Sequence, residues 1–145
     1  MRLSRYSDYS IRVLMVAALK VPERVTVDEV AQTFNISRNH LVKVVHQLGT
    51  AGYLQTKRGI GGGVTLGKSP KDIVLGEVAR LGEETDKVID CLDRENQLCR
   101  LYPACFLKPI LDEAAAAFFA VLDRYSLEDL LKKPSRMREG LGIRI

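Results

Sequence analysis

Cysteine is scarce in this chain and confined: 145 residues hold three, at positions 91, 99 and 105, and none elsewhere. A disulfide framework in a secreted domain uses an even count spread more widely. The three thiols therefore point to metal, cluster or redox chemistry. Long apolar runs are missing too. The longest apolar cluster, Ala114 to Leu122, is Ala-rich and far short of the ~20 residues of a membrane span, so no membrane partner is expected. Arg2 and Arg5 follow Met1, but no apolar stretch leads from them to a small-residue cleavage site. No signal peptide is expected, and a cytoplasmic location is. There is no Gly-rich loop opening a helix, as a phosphate cradle requires, and no nucleophile–base pairing can be placed, so an enzyme is not expected.

What is present is a soluble composition with 46% apolar and 28% charged residues, on a length that suits one compact domain or a small domain plus a dimerisation arm. The net charge of +4 is unevenly spread: residues 1–70 hold ten Lys/Arg against four Asp/Glu, and residues 71–145 hold twelve against fourteen. A basic first half suggests a polyanionic partner, with ordinary scatter of surface charge as the alternative.

The periodicity predicts a helix from about Tyr6 to Leu19, with Ile11, Leu14, Met15, Ala18 and Leu19 on one stripe. Val21-Pro22 breaks it. Thr26 and Glu29 have the spacing of a capping box, opening a short helix to Phe34. After a tight turn at Asn35-Ile36, Ser37 is a suitable N-cap for a helix running to about Thr50, and Gly52 suits the left-handed position past its end. Two short helices joined by such a turn are the sequence form of a helix-turn-helix. Tyr53–Lys57 and Val64–Leu66 read as strands joined by a glycine-rich tip, 59–63. A short helix is expected around Leu75–Leu81, then a loop. Leu107, Leu111, Ala114, Phe118, Val121 and Tyr125 follow heptad spacing within a helix of about 105–125, the seam of a helix that pairs with a second copy. A short helix to Leu131 and a frayed basic tail from Lys132 complete the chain. The fold class is mainly α with a small β-hairpin: a winged helix-turn-helix domain (1–70), then a cluster-binding loop (about 83–105) and a long dimerisation helix with a short C-terminal helix (71–145).

A recognition helix reads base edges with residues near its N-terminus. Here those are Ser37, Arg38, Asn39, His40 and Lys43, opposite Leu41, Val44 and Leu48. Asn pairs with adenine and Arg or Lys with guanine. Lys57, Arg58 and Gly59 on the wing suit a phosphate or a minor groove, and Arg2 adds a phosphate contact. Double-stranded DNA is the expected partner. Seven residues separate Cys91 from Cys99 and five separate Cys99 from Cys105. The wide first gap matches neither structural zinc knuckles nor the bacterial ferredoxin run. Three soft thiolates suit an iron–sulfur cluster given a fourth ligand.

The opening MRLSRYSDYSIRVL, the stretch ISRNHLVKVVHQLGTAGYLQTKRGIGGGVTLGKSP and a cysteine loop entering a long helix together resemble the NsrR/IscR family of winged-helix iron–sulfur transcription regulators, over nearly the whole chain. The resemblance implies a homodimer on a palindromic operator, with a 4Fe-4S or 2Fe-2S cluster at the subunit interface. Within the family the match is to the nitric-oxide-sensing NsrR branch. That branch implies three cysteines, here Cys91, Cys99 and Cys105, plus an aspartate in the first helix of the partner subunit, matched here by Asp8. The IscR branch uses a histidine at the position of Lys108, and a Glu-Gln pair at the positions of Val42 and Lys43. The gap between the first two cysteines is longer than the branch pattern. Nitric oxide is the implied signal, loss or remodelling of the cluster the implied switch, and repression the implied role. The alternative is the same fold sensing iron or cluster supply, or thiol oxidation.

Overall fold

The computed structural model describes residues 3–83 and 104–143. Helix α1 (Arg5–Leu19) begins at Ser4, whose hydroxyl accepts from the Ser7 N–H. Helix α2 (Val27–Phe34) opens on the expected capping box, with Thr26 and Glu29 bonded reciprocally. Asn35 then adopts φ 51°, the left-handed turn that separates α2 from α3 (Arg38–Thr50). Asn tolerates that conformation better than most residues. Ser37 occupies the N-cap of α3, but its side chain makes no capping bond. Gly52, at φ 77°, follows the helix in the left-handed region, as its position suggested.

Strands β1 (Leu54–Lys57) and β2 (Gly63–Leu66) form a two-stranded antiparallel hairpin with Leu54 opposite Leu66. Val64 also exchanges both backbone bonds with Val25, which sews the wing to the entry of α2. The hairpin tip needs its glycines. Gly59 and Gly61 sit at φ 91° and 69°, and a Cβ on Gly62 would lie 2.6 Å from the carbonyl oxygens of Gly59 and Lys57. Tyr53 anchors the base of the wing. Its hydroxyl donates to Glu77, Lys68 lies over its ring, and burial followed by the Glu77 carboxylate pushes its pKa up to about 12.

A short 3-10 turn (Pro70–Asp72) leads to α4 (Leu75–Gly82), then come α5 (Leu107–Leu122), α6 (Leu127–Leu130) and α7 (Pro134–Gly140). One hydrophobic cluster joins α1, α2, α3 and the hairpin to Ile73, Val78 and Leu127. Helix α4 lies tightly on α1: a Cβ on Gly82 would sit 2.5 Å from the backbone nitrogen of Ser7. At its other end α4 meets α5. Arg80 grips both carboxylate oxygens of Asp123 at 2.6 and 2.8 Å and covers the Phe119 ring, while Gly76 leaves Asp123 room that no Cβ could share.

Two expectations change. Helix α5 is shorter than expected, Leu107–Leu122, and it buries Ala115 and Phe119 on its own chain, leaving most of the heptad seam outward. Leu107, Ala114, Val121 and Tyr125 of that seam are exposed, as are Phe106 (85%) and Ile110 (60%). Within the tail, residues 134–140 form helix α7. Pro134 starts α7, a position where its missing N–H costs nothing. Arg138 donates at 2.8 Å to the Leu19 carbonyl, one of the four that the end of α1 leaves without an intrahelical partner. Among the described residues, no helix is long and apolar enough to cross a membrane.

Candidate nucleic-acid interface

The inward side of α3 is Leu41, Val44, Val45 and Leu48, all buried. That fixes the opposite side outward, so Ser37, Arg38, Asn39, His40, Val42, Lys43 and His46 are all exposed. Lys57, Arg58 and Gly59 are exposed on the hairpin that follows α3 directly, and the tip residue Ile60 is fully so. Arg2 lies outside the described residues. The donors of the first turn of α3 are held at its surface by neighbours that sequence reasoning had not singled out. Arg38 Nε donates to Asp28 of α2 at 2.8 Å, and the His40 ring lies 6.4 Å from the Tyr9 ring of α1. The Tyr6 hydroxyl donates to the Lys43 carbonyl, and burial raises its pKa.

Two of the expected sulfur ligands, Cys91 and Cys99, lie outside the described residues. Cys105 is a free, partly exposed thiol just before α5. Asp8 is half-exposed in the first turn of α1, and Arg12 Nε reaches both its oxygens, at 2.9 and 3.0 Å. Arg12 in turn lies 5.1 Å from the centre of the Phe34 ring of α2. Among the described residues there is no group of three or more His, Cys, Asp or Glu that could hold a metal.

The N-terminus of α1 and the C-terminus of α4 are stitched together. Ser4 N–H donates to Glu83 Oε1 at 2.8 Å, and the Ser4 hydroxyl donates to the Gly82 carbonyl at 2.8 Å. The Ser7 hydroxyl lies 2.6 Å from Glu83 Oε1 and 2.9 Å from the Ala79 carbonyl, and its single proton serves one at a time. Glu83 is the last described residue before the segment that carries Cys91 and Cys99. Helix α1 is thus bonded to the recognition helix on one side and to the root of the cysteine segment on the other. The i,i+4 spacing of Asp8 and Arg12 could have been read from the sequence. The contacts of Tyr6, Tyr9 and Glu83 join residues 31 or more positions apart, and no local pattern marks them.

A family model described as "Iron-dependent Transcriptional regulator", Rrf2, matches residues 3–133. The chain is 47% identical over 133 residues to the HTH-type transcriptional regulator NsrR of Bacillus subtilis (strain 168), covering 91% of each. It is 41% identical to the NsrR of Bacillus licheniformis, covering 98% of this chain and 100% of that one. Among solved structures it is similar to CymR, the global cysteine regulator of B. subtilis, with a TM-score of 0.70 at 28% identity, covering 90% of this chain and 95% of that one. Its fold also matches IscR of T. potens, with a TM-score of 0.71 at 22% identity, covering 91% and 87%.

Proposed function

Because this chain belongs to the Rrf2 family of transcriptional regulators, we propose that it is a homodimeric repressor that holds an iron–sulfur cluster and leaves its operator in response to nitric oxide. That it is a DNA-binding transcriptional regulator and not an enzyme follows from the family and its named relatives. The cluster, the signal and the dimer are our reading. One observation carries it: the helix bearing Asp8 is bonded both to the recognition helix and to the root of the cysteine segment.

The donor chemistry fits. Cys91, Cys99 and Cys105 are soft thiolates, Asp8 of the partner subunit a harder carboxylate, and iron accepts both. A cluster held by Cys91, Cys99, Cys105 and the partner subunit's Asp8 would supply an iron open to a diatomic gas at the carboxylate-held position. The rest is done by the chain. Asp8 has two alternatives, the ligand position and Arg12 on its own helix. When it turns to Arg12, the guanidinium it engages is the one lying over Phe34 of α2. Tyr6 and Tyr9, which flank Asp8, carry the same shift to Lys43 and His40 of α3. In a two-fold dimer the recognition helices must meet half-sites about 34 Å apart, so a small rotation of each reading head ends the match. A few kcal/mol of differential stability is enough to move such an equilibrium. Residues 1–70 form the reading head. In 71–145, the exposed apolar stripe of α5 pairs the subunits.

Anaerobically reconstituted protein is expected to be coloured, to bind a palindromic operator and to lose it on exposure to nitric oxide. A colourless, metal-free preparation that binds the same operator equally well sinks the switch. Asp8→Ala is expected to keep some cluster and respond differently to nitric oxide; an unchanged response removes Asp8 from the mechanism. The family description favours one second reading, in which the same residues report iron or cluster supply. Operator release under iron limitation without nitric oxide selects it.

A further inference from the structure

We propose that Asp28 is a positioning residue that aims Arg38 at a guanine, one base pair in each half-site. The proposal rests on the reading of α3 as the recognition helix. Arg38 is the first residue of α3, and its side chain is 62% exposed. It bonds Asp28 through Nε alone, at 2.8 Å. A guanidinium is planar and rigid, so holding Nε from the side orients the whole fork. Both terminal nitrogens stay at the outer end, and no other partner engages them among the described residues. Two parallel donors at that spacing match O6 and N7 of guanine in the major groove.

Asp28 stands in the first turn of α2, where a carboxylate suits the helix dipole but adds little at an exposed site. The start of α2 is already closed by Thr26 and Glu29. The pair with Arg38 is exposed on both sides, at 62% and 64%, and exposed pairs of this kind add little stability. A carboxylate on the outer surface of the basic half of the chain also repels the phosphates that the half attracts. Its presence there is accounted for if it orders an arginine that would otherwise sample many rotamers and fall on any nearby phosphate. The carboxylate then trades general affinity for discrimination at one base pair.

The test is a binding selection from a randomised operator pool. It uses the full-length, anaerobically purified protein and the variants Arg38→Ala, Asp28→Ala and Asp28→Asn, each checked for wild-type helicity and melting. Arg38→Ala is expected to erase a guanine preference at one position per half-site, a loss of about tenfold or more in discrimination. Both Asp28 variants retain the arginine. They are expected to lose several-fold of that same preference while their affinity for unrelated DNA holds or rises, because a negative charge has gone. The double variant Asp28→Ala/Arg38→Ala loses no more discrimination than Arg38→Ala alone. A uniform fall in affinity with the guanine preference intact overturns the proposal in favour of a role in starting α2. A uniform rise with the preference intact overturns it in favour of simple charge. An unchanged motif for Arg38→Ala overturns it as well. A wild-type protein that selects no motif overturns the reading of α3 itself.

Discussion

Glycine-to-alanine substitution is expected to act oppositely at two helical glycines, one of which, Gly82, sits in the joint between α1 and α4. Alanine is favoured over glycine within a helix by up to ~1 kcal/mol. Gly49 lies in α3, and a Cβ there would meet only Thr56 Oγ1 at 3.8 Å and the Leu54 carbonyl at 3.9 Å, ordinary contacts. Gly49→Ala is expected to stabilise by roughly 0.5–1 kcal/mol. At Gly82 the added Cβ would lie 2.5 Å from Ser7 N, 2.5 Å from Ser7 Oγ and 2.9 Å from Ser7 Cα. Two of those atoms are backbone, so the helices themselves must separate. Overpacking of this kind costs ~1–3 kcal/mol. For a chain of this size that is a fall in Tm of roughly 3–9 °C for Gly82→Ala, against a rise of about 2–3 °C for Gly49→Ala. Differential scanning calorimetry at one fixed protein concentration decides it, since association shifts Tm by mass action. A Gly82→Ala protein melting at or above the wild type would refute the close approach of α1 and α4. The tie between α1 and Glu83, at the root of the cysteine segment, would then lose its support.

Three further outcomes follow from named contacts. Burial raises the Glu29 carboxyl, but bonds from Lys20 and Thr26 outweigh it and hold the pKa below its ordinary value of 4.5. A depressed folded pKa gives stability that is present above 4.5 and lost as pH falls through the folded value. Glu29→Gln should therefore flatten the acid limb of Tm against pH, and an unaltered limb refutes the assignment. Ile110 is 60% exposed on α5. If the stripe pairs two subunits, Ile110→Glu places a charge in the interface twice, and light scattering should show dissociation at least ~100-fold weaker in affinity; an intact dimer places the interface elsewhere. Arg58→Ala on the wing should lower the slope of log affinity against log salt by about one, uniformly across sequences, if Arg58 meets a phosphate.

How much of this was legible in the sequence depended on distance along the chain. The helix-turn-helix and hairpin are written in local code: the Thr26–Glu29 box, the left-handed Asn35 and Gly52, the wing glycines. Each needs only neighbours within a few residues, and each was found where expected. Which residues of α5 would meet the chain's own core was not legible. Ala115 and Phe119 face the chain while Ile110 and Val121 face outward, and an Ala-rich helix looks alike from both sides. Helix α7 was missed because the bond that docks it joins Arg138 to Leu19, 119 positions away. The residues of α3 expected to face outward are exposed, since burial of Leu41, Val44 and Leu48 fixes the opposite face. Their supports, Asp28, Tyr6 and Tyr9, come from other helices and carry no mark in their own segments.

The seat of Asp123 against Gly76 has a mechanical consequence. Helix α5 has 16 residues, so it is a lever about 24 Å long. Its fulcrum is at Asp123, and Cys105 rides close to the opposite end. A tilt of about 5° at the fulcrum swings that end through roughly 2 Å. Metal–ligand bonds tolerate about 0.2 Å, so if Cys105 is the ligand proposed above, the error at the thiol is some ten times what a ligand can absorb. A methyl group at position 76 would therefore be felt mainly at the far end of the rod, as a sulfur in the wrong place.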